Sequence, residues 1–205
     1  MKIKLTKGEL KRQRDALQQY ERYLPTLLLK KQLLQLEISH QQGALRERET
    51  SLSAREHAAK EWSGLLVEAP DIRQWLIPAK IITGKKNVAG VDCPVFERIE
   101  FLPAEYDLFL SPLWVDAGVD ALREMVSVRE EIRVIAQGIA VLRHELRITT
   151  QRVNLFEKVK IPETKEAIRL IKISIGDQMT NAVGRSKMAK ERGFGARGSH
   201  HKAAK

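Results

Sequence analysis

His144 followed by Glu145 is how the helical zinc-protease motif begins, with a glutamate as general base between two metal-binding histidines on one helix face. The second histidine is missing, because position 148 is Ile148. Gly193, Gly195 and Gly198 in GFGARG match the spacing of a dinucleotide-binding loop. That loop cradles phosphate only between a strand and a helix start, and here it follows a basic segment. Gly84-Lys85-Lys86 lacks the hydroxyl and the earlier glycine of a phosphate-binding P-loop. Glu130 and Glu131 are helix neighbours at different azimuths, which makes them a poor catalytic pair. Cys93 has no histidine at a recognisable distance and reads as a small buried filler. His200-His201 reads as part of a terminal tail. No catalytic, cofactor-binding or metal-binding residues are expected, and no cofactor.

Residue types that do no chemistry must do something mechanical or adhesive. The 205-residue chain has a formal net charge of +10, with 30% charged and only 5% aromatic residues. That is thin for a compact globular core and ordinary for long helices. A single cysteine cannot form an internal disulfide. No run of about 18 apolar residues is available to insert in a membrane. The N-terminus MKIKLTKGELKRQR lacks the apolar core of a secretory signal, so a cytoplasmic location is expected. Positive charge gathers at both ends, which suits an acidic partner.

The elements that carry these charges show a repeat of seven. One column reads Ile3, Leu10, Leu17, Leu24, Lys31, Ile38, Leu45, Leu52, Ala59, Leu66. Its companion reads Tyr20, Leu27, Leu34, then turns polar at Gln41, Arg48 and Arg55 before Trp62. The C-terminal half has Met125, Ile132, Ile139, Leu146, Val153 beside Ala121, Val128, Ile135, Leu142, Thr149, Phe156. Sustained heptads predict coiled coil. Past Pro162 the columns move by one residue, to Ile161, Ile168, Ile175 and to Thr164, Ile171, as in a kinked or unwound helix. Thr6 with Glu9 forms a capping box at the first helix start. Gly184 suits a stop for the last helix.

The predicted fold is mainly α: a long antiparallel two-stranded coiled coil of the N- and C-terminal helices, with a small β-hairpin connector. The arms are 1–69 and 116–184, the connector is 70–115, and 185–205 is a basic tail expected to be disordered. Folding back antiparallel keeps facing residue numbers at a constant sum. Setting Leu66 opposite Ala121 makes that sum 187 and brings Pro25 level with Pro162, as one shared bend. The connector runs AKIITGKKNVAGV and PVFERIEF read as hairpin strands, which need to pack either on the coil end near Trp62, Trp75 and Trp114 or on a partner. The one-sided stretch at Gln41, Arg48 and Arg55 leaves room for an outside helix.

KLTKGELKRQRDALQQYERYLPTLLLKKQLLQL, KNVAGVDCPVF and RVNLFEKVKIPETKEAIRLIKISIGDQ…AVGRSKMAK together resemble the D subunit of the V/A-type rotary ATPases, over nearly the whole chain. The resemblance implies a non-catalytic rotor shaft that couples ATP hydrolysis or synthesis to ion transport. It implies that the chain termini enter a ring of catalytic A and B subunits, that the mid-coil and hairpin meet the F subunit, and that the lower end docks on a C/d-type subunit at the membrane ring. The location would then be peripheral to the membrane, through the complex. Lys4, Lys7, Lys11 and Arg12, with Arg185, Lys187 and Lys190, would form the cationic tip that meets the catalytic ring. The rival readings are a nucleic-acid-binding coil, disfavoured because aromatics are not interleaved with the basic ends, and a self-assembling structural coil.

Overall fold

A computed structural model describes residues 4–68, 72–104 and 111–200. In chain order they form α1 (Lys7–Lys60), a 3-10 turn (Ser63–Glu68), α2 (Ile72–Trp75), β1 (Pro78–Val88), β2 (Val91–Phe101), α3 (Val115–Leu155), a π-helical segment (Phe156–Lys160) and α4 (Ile161–His200). The predicted class holds: two long helical arms joined through a two-stranded antiparallel hairpin. The chain divides into two compact units, one of Met1–Leu28 with Gln151–Lys205, the other of Leu29–Thr150.

In the first unit α1 starts as its sequence dictates. The Glu9 N–H donates to Thr6 Oγ1 at 3.3 Å, which satisfies one of the first-turn donors that a helix leaves without a partner. Both prolines lie inside helical stretches and face outward. At the second, the chain has widened its turn one step earlier. The Ile161 N–H donates to the Phe156 carbonyl, five residues back. A π turn holds one extra residue, and that residue is the one-step phase shift seen in the heptads. The result keeps Val153, Thr164, Ala167, Ile168 and Ile171 all buried on one face across the irregularity. Thr164 is buried without harm because its hydroxyl donates to the Lys160 carbonyl at 2.6 Å.

The pairing of the arms differs from the expected register. Tyr20 stacks on Phe156 with ring centroids 5.4 Å apart. From that stack Pro25 runs one way and Pro162 the other, because the arms are antiparallel. The prolines are therefore on the order of 15 Å apart along the axis at 1.5 Å per residue, not level with each other. In the second unit Lys30 pairs with Glu145 at 2.7 Å and Arg48 with Glu131 at 3.0 Å, so facing numbers sum to 175 and 179 rather than 187. Ala121 accordingly lies by Ala58, Ala59 and Trp62, while Leu66 packs on the Ile72, Val115 and Val119 cluster. The expected register matches columns correctly but is shifted by about two to three helical turns. A repeating seam fits itself at several such shifts, and the connector's packing chooses among them.

Two helix ends also differ from expectation. α1 stops at Lys60, before the 3-10 turn, and Pro70 lies outside the described residues. α4 does not stop at Gly184 but continues to His200, through GFGARG. Gly184 has no left-handed φ, so it is not built as a helix terminator. A lone glycine among helix-forming Ala182, Arg185, Lys187 and Met188 costs only about 1 kcal/mol.

The hairpin closes through Ala89 (φ 50°) and Gly90 (φ 81°), flanked by the Val88–Val91 pair. Positive φ at both central positions is the two-residue turn that matches strand twist. Asn87 supports it, accepting from the Gly90 N–H at 3.1 Å and donating to Asp92 at 2.6 Å. An alanine at positive φ costs roughly 1 kcal/mol, yet its methyl packs against the Leu34–Ile38–Cys93–Leu142 cluster, worth about 0.8 kcal/mol. Ala89→Gly should therefore shift unfolding stability by less than ~0.5 kcal/mol, whereas Ala89→Val, β-branched at positive φ, should cost more than ~1 kcal/mol. Urea titrations of the two variants check both.

Candidate functional site: the inter-arm seam and its docked hairpin

Among the described residues no group of three or more His, Cys, Asp or Glu could hold a metal ion. No described helix is long and apolar enough to cross a membrane. Three surfaces of the described residues are built by identifiable local chemistry.

The first is the seam at the level of Gln41, where the α1 apolar column turns polar. The hairpin tip occupies it. Cys93 is 1% exposed and sits with Leu34 and Leu142, both 0% exposed, and with Ile38, with Val88, Ala89 and Val91 packed around them. The eleven-residue strands reach about 36 Å at 3.3 Å per residue, close to the roughly 33 Å from Ile38 to the α1 end at Lys60 at 1.5 Å per residue. The base is held too. Arg123 donates to the carbonyls of Trp75 at 3.1 Å and Leu102 at 2.6 Å, and lies over the Phe101 ring. Farther along, Arg48 and Arg55 reach across to Glu131 and Glu124. The polar break in the column is thus filled by the chain's own hairpin and by inter-arm ion pairs. These pairs are half exposed, so each contributes at most about 1 kcal/mol; they align the arms more than they hold them.

The Cys93 thiol is pushed above its ordinary range, chiefly by burial and then by the nearby Glu37 and Asp92 carboxylates. Its protonated form is therefore favoured by the docked hairpin. The contribution is fully present below the ordinary thiol pKa of about 8.5, and fades as pH rises through the higher folded value. Stability should accordingly fall on going from pH 8 to pH 10 more in the wild type than in Cys93→Ala, as read from paired urea titrations.

The second surface is the connector end. Trp62, Leu65, Trp114, Ala117, Gly118 and Ala121 line a shallow apolar pocket, with the Trp114 indole nitrogen buried and without a partner among the described residues. Leu113 is 99% exposed beside it. Trp75 and Trp114 pack on the Ile72, Val115 and Val119 cluster, whereas the hairpin tip docks on Leu34, Ile38 and Leu142, a docking that leaves no mark in the heptads. Its signals are small residues at close quarters: Cys93, Ala89 and Gly138.

The third is the basic end. Lys4 just ahead of α1 and Lys7, Lys11 and Arg12 on it are exposed, and Arg12 lies 3.9 Å from Glu9. Arg185, Lys187 and Lys190 are exposed on α4. The two groups do not face each other. The Tyr20–Phe156 stack puts Lys4 level with the early 170s, and every residue from 176 to 190 is exposed. α4 runs on past the described start of α1.

Of the remaining seam residues, Ile139 and Val153 are buried, while Leu10, Leu17, Leu24, Leu27, Leu45, Leu52, Ile132, Ile135, Leu146 and Phe156 are half-buried. Lys31 is half-buried as well. Leu29, Leu33 and Leu36 on the opposite side of α1 are 57%, 45% and 70% exposed.

The sequence of residues 9–191 matches the family model described as the D subunit of ATP synthase. The chain belongs to the ATP synthase D-subunit family. It is 40% identical to the V-type ATP synthase D subunit of Borreliella burgdorferi, covering 92% of this chain and 94% of that one. It is 36% identical to the V-type ATP synthase D subunit of Chlamydia caviae and 37% identical to that of Chlamydia abortus, each over 93% of both chains. The D-subunit match therefore takes in both arms, the hairpin and the π segment. It ends short of the GFGARG stretch, which begins at Gly193.

Proposed function

We propose that this chain is the central rotor shaft of a V-type ATP synthase, carrying torque between a catalytic A/B ring and the membrane rotor ring. The observation that carries the reading is the combination of D-subunit membership over residues 9–191 with two long helices paired antiparallel across buried apolar seams. Such a pair resists bending and twisting with few residues, which is what a shaft requires. The chain is non-catalytic in this reading, and ATP chemistry belongs to its partners.

The surfaces divide the work. The basic end, with Lys4, Lys7, Lys11, Arg12, Arg185, Lys187 and Lys190, enters the ring. The exposed Leu29–Leu33–Leu36 side and the hairpin meet the F subunit, and the Trp62–Trp114 pocket meets the C/d-type docking subunit. Rotation can alter a catalytic site only through contacts that differ between orientations. Pro25, Pro162 and the π segment supply that irregularity near the ring end. The complex, and with it this chain, is peripheral to the membrane on the cytoplasmic side.

Affinity purification of the tagged chain from its own cells tests the assignment. Recovery of A and B subunits in threefold excess over this chain, with one copy of the F subunit, is the expected result. Recovery of nucleic acid, or of this chain alone as a self-assembled coil, would overturn it.

A further inference from the structure

We infer that the β-hairpin is a hinged strap, which lifts off the seam as a unit while the two arms stay paired. Every contact that defines it lies within the unit Leu29–Thr150.

The strap is held strongly at one end and weakly at the other. At the base, Arg123 binds two carbonyls on either side of the hairpin, at Trp75 and Leu102. At the tip, the hairpin contributes one fully buried side chain, Cys93. The ion pair that accompanies it, Lys86 to Glu37, is 3.4 Å long and open to solvent on the lysine side. Solvent screens such a pair to little net strength. The junction also contains a cost. Gln41 Oε1 is buried there with no donor among the described residues, against Gly138 and near the Pro94 carbonyl. Lifting the tip returns that oxygen to water, so part of the apolar gain of docking is cancelled by polar loss.

Between base and tip the ladder is interrupted. The strand register shifts between Pro78 and Lys80 and again between Ile82 and Thr83. Such irregularities bend a strand and interrupt its ladder locally. Both lie on the base side of the hairpin, where a hinge would act. Gly138 completes the arrangement. A methyl group there would stand 3.2 Å from Gln41 Oε1 and 3.6 Å from the Pro94 carbonyl. Glycine inside a helix is unfavourable, and here it is the space into which the strap closes.

The full-length chain carries its own reporter, because Cys93 is its single cysteine. A neutral aromatic disulfide, 4,4′-dithiodipyridine, reacts only with the uncovered thiolate. It forms a mixed disulfide and releases one thiopyridone that absorbs in the ultraviolet. In native buffer the reaction should be slowed by roughly 10²–10⁴-fold relative to the unfolded chain. The rate should hardly respond to low urea, because little surface opens. Gly138→Ala should accelerate it about tenfold with the helical circular dichroism unchanged. Lys86→Ala, which removes only the exposed ion pair, should accelerate it two- to threefold. A rate that follows global unfolding, with the full urea dependence of the helical signal, would overturn the strap. So would equal rates in wild type and both variants. These readouts need no partner protein, so they stand or fall separately from the shaft assignment.

Discussion

Leu142→Ala is expected to lower the unfolding free energy by about 3–4 kcal/mol. Leu142 is 0% exposed and sits where three elements meet: Leu34 and Ile38 of α1, its own helix, and the hairpin tip at Cys93. Truncation removes the transfer free energy of the lost carbons and leaves a cavity that three elements cannot collapse independently. Leu36→Ala is the matched control. It deletes the same atoms from the same kind of helix, but Leu36 is 70% exposed, so the loss should stay within about 0.5 kcal/mol. Urea titration by circular dichroism measures both. Equal losses at the two positions would mean that the seam at this level does not hold the arms together.

The second large effect is non-additive and concerns the π segment. Deleting Glu157 removes the extra residue, so the heptads on either side run on without a phase shift. The cost is that Pro162 must then sit in a regular helix, at roughly 3 kcal/mol. Pro162→Ala alone should change little, because the phase of Ile168 and Ile171 still demands the extra residue and the π turn persists. The double variant escapes both problems and should recover most of the 3 kcal/mol lost by the deletion. The coupling energy from the full double-mutant cycle is the measurement. A coupling near zero would show that proline and π turn are independent features. In the shaft role, the regularised double variant should also assemble with its partners yet couple ATP hydrolysis to rotation less well.

The heptads are legible because leucine and isoleucine at intervals of seven have no other economical use. The phase shift is legible too, though its seat is not Pro162 itself. The widened turn is centred one turn earlier, at Phe156–Lys160. Register is not legible. Leu faces Leu at several offsets, and the choice rests on Tyr20 meeting Phe156 and on Leu66 meeting Ile72, Val115 and Val119. Those contacts depend on how a connector with little periodicity folds. The turn at Asn87–Gly90 can be read from residue types. The docking of its tip cannot, because a buried Cys93 and an unfilled Gly138 carry no spacing signal. The polar break at Gln41 does mark the place, but not its occupant. At Gly184 the residue type of a terminator occurs without the geometry of one.

A two-stranded zipper of repeating sevens has a hidden weakness: one strand can creep along the other by seven residues and find similar teeth again. The widened turn at 156–160 occurs once among the described residues, and Tyr20 is seated against it. It works as an index notch. Creep by a single repeat would carry Tyr20 off Phe156 and bring Gln13 or Leu27 there in place of a stacking ring, so longitudinal slippage under load has no near-equivalent resting place in this part of the molecule.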